Sequence, residues 1–195
     1  MRKNVKFSVT ADFCLLILLS LFLIPLQWLG GWLIAAAIHE ASHILAIRLF
    51  RIKILSVTLR ASGAVIESES MTPICECVSA LAGPVGGLAA LLLLRIAPEV
   101  SLCAAMQSIY NLLPVYPLDG GRVLRSLLSV IWGEQTACKL LKIAACTFVA
   151  LLSCIGVYLS LHYHPAVFLP VAFLVVAFCK NSLQCRENDS KIIRV

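Results

Sequence analysis

Six runs of apolar residues, separated by short polar punctuation, make up most of the chain. They cover 13–29, 32–50, 77–94, 100–116, 140–161 and 167–179, with a shorter apolar piece at 123–132. A helix that crosses a bilayer needs about 20 apolar residues, and most of these runs approach that length. The breaks between them carry turn chemistry: Gly30-Gly31 after the first run, Pro98 after the third, Pro114 and Pro117 near the end of the fourth. The polar segment 51–72 has a different period. Leu55, Val57 and Leu59 alternate with Ser56, Thr58 and Arg60, Ser62-Gly63 is a turn signal, and Ala64-Val65-Ile66 follows as a second short strand. That pattern predicts a small β-hairpin at the membrane face; a plain amphipathic connector is the alternative. No internal repeat and no low-complexity tract interrupts the series.

Composition supports the same class. Of 195 residues 61% are hydrophobic and 13% charged, against about 25% charged in a soluble domain, and the mean hydropathy is +0.96. An ordinary cytosolic globule, a disordered chain and a fibrous repeat are excluded. The fold expected is an all-α polytopic membrane protein of about six transmembrane helices with a membrane-associated β-hairpin, forming a single integral-membrane domain over 1–195. Its core would lie at about 32–132, followed by the fifth and sixth spans at about 140–180. Arg2, Lys3 and Lys6 before the first apolar run resemble the start of a signal peptide. No small-x-small cleavage site leads into a soluble domain, so the run is read as a retained span.

The net charge is +6, with 16 Lys and Arg against 10 Asp and Glu. If the N-terminus is inside, every Lys and Arg but Arg95 falls on an inner segment, as the positive-inside rule requires. Both termini and the 51–72 segment are then expected in the cytoplasm, and the protein is expected as a multi-pass protein of the cell membrane. No run interleaves basic and aromatic residues, so nucleic acid is not an expected partner. The nine cysteines include no CxxC pair and lie mostly within apolar runs; they read as small hydrophobes, not as a disulfide framework or a cysteine zinc site.

Chemistry is concentrated in the second run. No ionisable side chain occurs from Phe13 to Ile38, and then His39-Glu40-Ala41-Ser42-His43 places two imidazoles and a carboxylate together. On a helix His39 and His43 share one face, a spacing at which both can bind one Zn2+ while Glu40 reaches its water. Ionisable groups at membrane depth cost about 2.5–3.5 kcal/mol on insertion scales and usually face an interior polar site; the bland alternative is a polar cluster that glues helices. A catalytic zinc takes three protein ligands plus a water. Asp119, in Leu118-Asp119-Gly120-Gly121 beyond the two prolines, is the carboxylate best placed to be the third; the alternative is that it caps the following short helix. His162 and His164, at the predicted outer turn, read as solvated loop histidines, with a second metal site as the alternative.

HEASH in the second run and Asn111-Leu112-Leu113-Pro114-Val115-Tyr116-Pro117-Leu118-Asp119-Gly120 resemble the two signatures of the site-2 proteases, a family of intramembrane zinc metalloproteases. The resemblance extends to Ala82-Gly83-Pro84 and to Gly63-Ala64-Val65-Ile66-Glu67, which is similar to the family's membrane-associated hairpin. The tight NLLPxxPLDGG arrangement looks most like the sporulation subgroup, which processes a membrane-tethered pro-sigma factor. The resemblance implies that His39, His43 and Asp119 bind zinc, that Glu40 activates water, and that Asn111 binds substrate by orienting its backbone or polarising its carbonyl. It implies regulated intramembrane proteolysis, with a membrane-tethered or transmembrane protein as substrate, the lipid bilayer as surroundings and a membrane-protein regulator as a further partner. No PDZ-type insertion is visible, and the segment after Cys179 is too short for a nucleotide-sensing CBS domain. A metal-ion or proton-coupled transporter would also use intramembrane His, Glu and Asp. It predicts paired broken helices in both halves, and only one broken region, at 114–121, is found.

Overall fold

The computed structural model describes residues 6–61, 63–116 and 118–162, and these divide between two compact units, Met1–Asn111 and Leu112–Val195. The first unit runs β1 (Lys6–Val9), α1 (Ala11–Leu23), α2 (Leu26–Leu49), β2 (Ile54–Arg60), β3 (Gly63–Ser68), α3 (Pro73–Ala89) and α4 (Pro98–Asn111). The described part of the second contains α5 (Asp119–Trp132) and α6 (Glu134–His162). The described residues are therefore mostly helical with one small sheet. Among the described residues three helices are long and apolar enough to cross a membrane: α2, α3 with its 3-10 extension (Pro73–Leu93), and α6. The 13-residue α1 is apolar but short. The predicted sixth span, 167–179, lies outside the described residues.

Two boundaries differ from expectation for identifiable reasons. The Gly30-Gly31 pair is not a turn: α2 runs through it without a break, and the chain turns earlier, at Ile24 and Pro25. Proline at the N-cap cannot continue α1, because it lacks the N–H and restricts the residue before it. The two glycines serve packing instead. A Cβ on Gly31 would stand 3.0 Å from the Glu99 carbonyl carbon at the start of α4, whereas Gly30 has nothing within 4 Å. The expected fourth span is also cut short. Helix α4 has 14 residues and ends at Asn111, before Pro114.

The C-terminus of α2 closes with Arg51 in the left-handed region (φ 58). Its N–H bonds the Arg48 carbonyl (2.9 Å), and the Ile52 N–H bonds the Ile47 carbonyl (3.2 Å). This is a Schellman closure in which arginine occupies the site glycine usually takes.

The expected hairpin is present as β2 and β3, paired antiparallel from Arg60 opposite Gly63 to Ile54 opposite Ser68, with an irregularity between Ile54 and Ser56. It is one strand short of the whole sheet. Strand β1 adds parallel to β2, Lys6 opposite Ser56 through Val9 opposite Leu59. The Thr10 N–H and hydroxyl both donate to the Leu59 carbonyl (3.0 and 2.8 Å), and the Asp12 carboxylate accepts from the Ala61 N–H (3.0 Å). Four residues are too few for an alternation to register, and their partners lie 50 positions away.

Small residues set the helix packing of the first unit. Ala35, Ala90 and Ala104 form its buried apolar centre, with Ile38 and Cys103 against them. The Ser101 hydroxyl donates to the Ala90 carbonyl (2.8 Å) and the Ser108 hydroxyl to the Ala104 carbonyl (2.7 Å). Where lipid tails are as apolar as leucine, close backbone approach and satisfied polar groups are what hold helices together. In the second unit Val115 and Ala145 are buried, with Leu118, Phe148 and Val149 packed on them. Gly133 (φ 79) separates α5 from α6, a conformation that other residues resist.

The 112–118 turn presses on α5. A Cβ on Gly120 would stand 2.6 Å from the Leu113 carbonyl oxygen, and one on Gly121 2.5 Å from the Val115 carbonyl carbon and the Tyr116 nitrogen. Backbone atoms cannot swing aside as a side-chain end can, so Gly121→Ala is expected to destabilise by about 1–3 kcal/mol. Gly31→Ala is expected to destabilise by about 1 kcal/mol or more, while Gly30→Ala, mid-helix in open space, gains about 0.5–1 kcal/mol. Thermal unfolding of the three variants in detergent micelles measures this order.

Candidate metal centre

Helix α2 carries the first part of the site. Its 24 residues place His39 and His43 one turn apart, and both are 5% exposed. The rings meet edge to face, with centroids 4.7 Å apart, and the two Nε2 atoms stand 3.1 Å from each other. Two nitrogens each about 2.0–2.1 Å from one tetrahedral zinc would lie about 3.3–3.4 Å apart, so the pair is already close to the separation of ligands that share an ion. Glu40, the next residue along α2, is half-buried.

The orientation of His43 comes from α3. Its Nδ1 donates to the main-chain carbonyl of Ser79 (2.7 Å), which is itself buried. A ring that donates from Nδ1 keeps its lone pair on Nε2, the arrangement that metal-binding histidines show when the other nitrogen is held by a carbonyl. One turn beyond Ser79 lies Gly83, whose absent side chain leaves the Nε2 atoms room. A Cβ there would overlap the His43 ring, coming 2.5 Å from Cε1, and would stand 2.8 Å from the His39 Nε2. In the sequence Gly83 stands only within Ala82-Gly83-Pro84; the meeting of α2 and α3 assigns it to the histidines. A Cβ on Gly86, in contrast, would stand 2.7 Å from the Ser42 Cβ, so that glycine does serve packing.

The second unit carries Asp119, the first residue of α5 and 7% exposed. Leu118, not Asp119, stands at the N-cap position, and its side chain makes no cap. A carboxylate in the first turn is nonetheless favoured by the helix dipole. The Arg122 guanidinium, one turn along α5, donates to Asp119 Oδ1 (3.4 Å). Arg122 was not read from the sequence as a site residue. Its i,i+3 spacing from Asp119 was the signal available.

The remaining sequence candidates are placed as follows. Asn111 is the last residue of α4 and half-buried. The His162 Nδ1 donates to the Tyr158 carbonyl (3.1 Å) and its ring stacks on Tyr158 at 4.4 Å. His164 and Pro117 lie outside the described residues. Buried histidine nitrogens with one ring already tethered by a carbonyl, together with a buried carboxylate, are the donor chemistry of a catalytic zinc. In the first unit His39 and His43 are the residues whose chemistry suits it, and in the second unit Asp119 offers a buried carboxylate.

No family model matches the chain. A zinc metalloprotease of Methanocaldococcus jannaschii is 26% identical over 121 residues, 55% of this chain and 36% of that protein. A provisionally named zinc metalloprotease of Synechocystis is 35% identical over 113 residues, 50% of this chain and 30% of that protein. The chain thus spans about a third of the length of the curated relatives it matches. Among solved structures, the site-2 protease of Methanocaldococcus jannaschii superposes with a TM-score of 0.65 at 20% identity, covering 93% of this chain and 94% of that one. The chain therefore has the fold of that site-2 protease. The donor chemistry of two buried imidazoles and a buried carboxylate suits Zn2+.

Proposed function

We propose that the protein is an intramembrane zinc metalloendopeptidase that cleaves a membrane-embedded or membrane-tethered protein. The observation that carries this reading is the buried His39–His43 pair, its Nε2 atoms 3.1 Å apart and the His43 Nδ1 tied to a carbonyl, on a helix apolar enough to span a membrane. The two Nε2 atoms, within hydrogen-bond distance of one another, are also the atoms that one zinc ion would take as ligands. His39 and His43 would bind zinc through Nε2, and Asp119 would complete the set with a carboxylate oxygen. A zinc ion held there would supply polarisation of the scissile carbonyl and a more acidic water. Glu40 would accept a proton from the attacking water and deliver it to the departing amine. Asn111 orients the substrate backbone or polarises the scissile carbonyl.

The substrate must reach the site as an extended strand, since a helical segment spends its carbonyls on its own hydrogen bonds. The sheet order β1-β2-β3 leaves β3 at an edge, and an unwound substrate can add to such an edge by main-chain hydrogen bonding. We further propose that both termini and the sheet face the cytoplasm and that the catalytic core lies within a single integral-membrane domain. The pairing of β1, which precedes α1, with β2, which follows α2, supports a common side for the N-terminal segment and the hairpin, and the charge distribution supports the inner one. The NLLPxxPLDGG pattern makes a membrane-tethered pro-sigma factor the first substrate class to test.

Glu40→Gln is expected to lower cleavage by about 10²–10⁴-fold while zinc content stays at the wild-type level. Asp119→Asn keeps the shape and loses the anion, so zinc binding and cleavage should fall together. Metal analysis and cleavage of a co-expressed tethered substrate, on the same purified variants, separate the two roles. Retained cleavage by Glu40→Gln would overturn the mechanism. Chelation should abolish cleavage by the wild type, and added Zn2+ should restore it.

A further inference from the structure

The Ser79–Gly83 turn of α3 binds the His43 imidazole at one nitrogen and leaves room at the other. The Ser79 carbonyl accepts from Nδ1 at 2.7 Å. Gly83, four residues on and buried, lies against the other edge of the ring, where a Cβ would overlap Nε2 and come 2.5 Å from Cε1. The ring cannot rotate away from such a Cβ without breaking its bond to Ser79. It cannot translate either, because His39 Nε2 lies 3.1 Å from its own Nε2. A methyl group at position 83 must therefore displace the nitrogen that would face a metal ion. Other helical glycines differ: Gly30 meets nothing within 4 Å, and Gly86 faces Ser42.

We infer that Gly83 is a positioning residue for the metal centre: its missing side chain leaves the volume in which the Nε2 atoms of His43 and His39 present their lone pairs to one ion. The inference rests on the reading of these histidines as zinc ligands. It makes Gly83 a determinant of metal affinity through His43, not only of helix packing.

The test uses the full chain in detergent and compares wild type, Gly83→Ala and, as a control for an added methyl, Gly30→Ala. Zinc affinity is measured by chelator competition, and ligand geometry by the visible absorption of the Co2+-substituted protein. Gly83→Ala should bind zinc about 10–100-fold more weakly, as loss of an orienting partner of a ligand does, and its Co2+ spectrum should shift. Gly30→Ala should match wild type in both. Zinc bound by the wild type and equally well by Gly83→Ala, with an unchanged spectrum, overturns the inference and leaves the ligand reading standing. No zinc bound by the wild type overturns the ligand reading itself.

Should Gly83→Ala not fold, the paired variant Gly83→Ala with His43→Ala decides the matter. Folding restored by removing the imidazole places the clash at His43 and supports the inference. A failure to fold that persists when His39→Ala is added as well, in a background where the two histidine variants alone fold, places the clash elsewhere and overturns it.

Discussion

Two imidazoles buried side by side in an apolar helix are the constraint to which the rest of the first unit answers. A polar nitrogen taken out of water costs free energy unless something binds it, and His43 spends its Nδ1 on the Ser79 carbonyl. That bond requires α3 to lie close enough for its backbone to reach the ring. Close approach in turn requires small residues where the helices meet. Gly83, Gly86 and Gly87 on α3 therefore face His43, Ser42 and Ser108 in succession, while Ala35, Ala90 and Ala104 fill the centre. The chemistry of the pair and the packing of the helices are one requirement seen from two sides.

The second unit solves a different local problem. A carboxylate has to be held buried at the first turn of α5, after a segment that cannot be helical. Gly120 and Gly121 let the 112–118 turn lie directly on the helix start. The helix dipole and Arg122 then offset the charge of Asp119. Each device is small, and together they keep an acidic side chain at a place where an apolar one would be easier to bury.

Much of this was legible in one dimension because the physics is local. An abrupt His-Glu-His cluster after a long uncharged run states both the helix and the shared face. The alternation in Leu55, Val57 and Leu59 foretold a strand because the period of a strand is two residues. The edges were less legible. Gly30-Gly31 looks like a turn to any local reading, yet Gly31 is explained by the Glu99 backbone beside it. The break falls at Pro25 instead, where proline's missing N–H acts within the chain itself.

By itself the sequence determined the helical apolar class and the hairpin, and it singled out His39, His43 and Asp119 as candidates for the zinc chemistry that such donors favour. These follow from side-chain chemistry and from spacings of two to four residues, which every copy of the pattern carries wherever it folds. Only tertiary structure decided that β1 joins the sheet, that Ser79 fixes the tautomer of His43 and that Gly83 clears the space before the ring nitrogens. In each case the partner lies 36 to 50 positions away in the chain, or acts through a main-chain carbonyl or a missing side chain. No residue type announces a backbone oxygen or an empty volume; these acquire a role only when another helix or strand is brought against them.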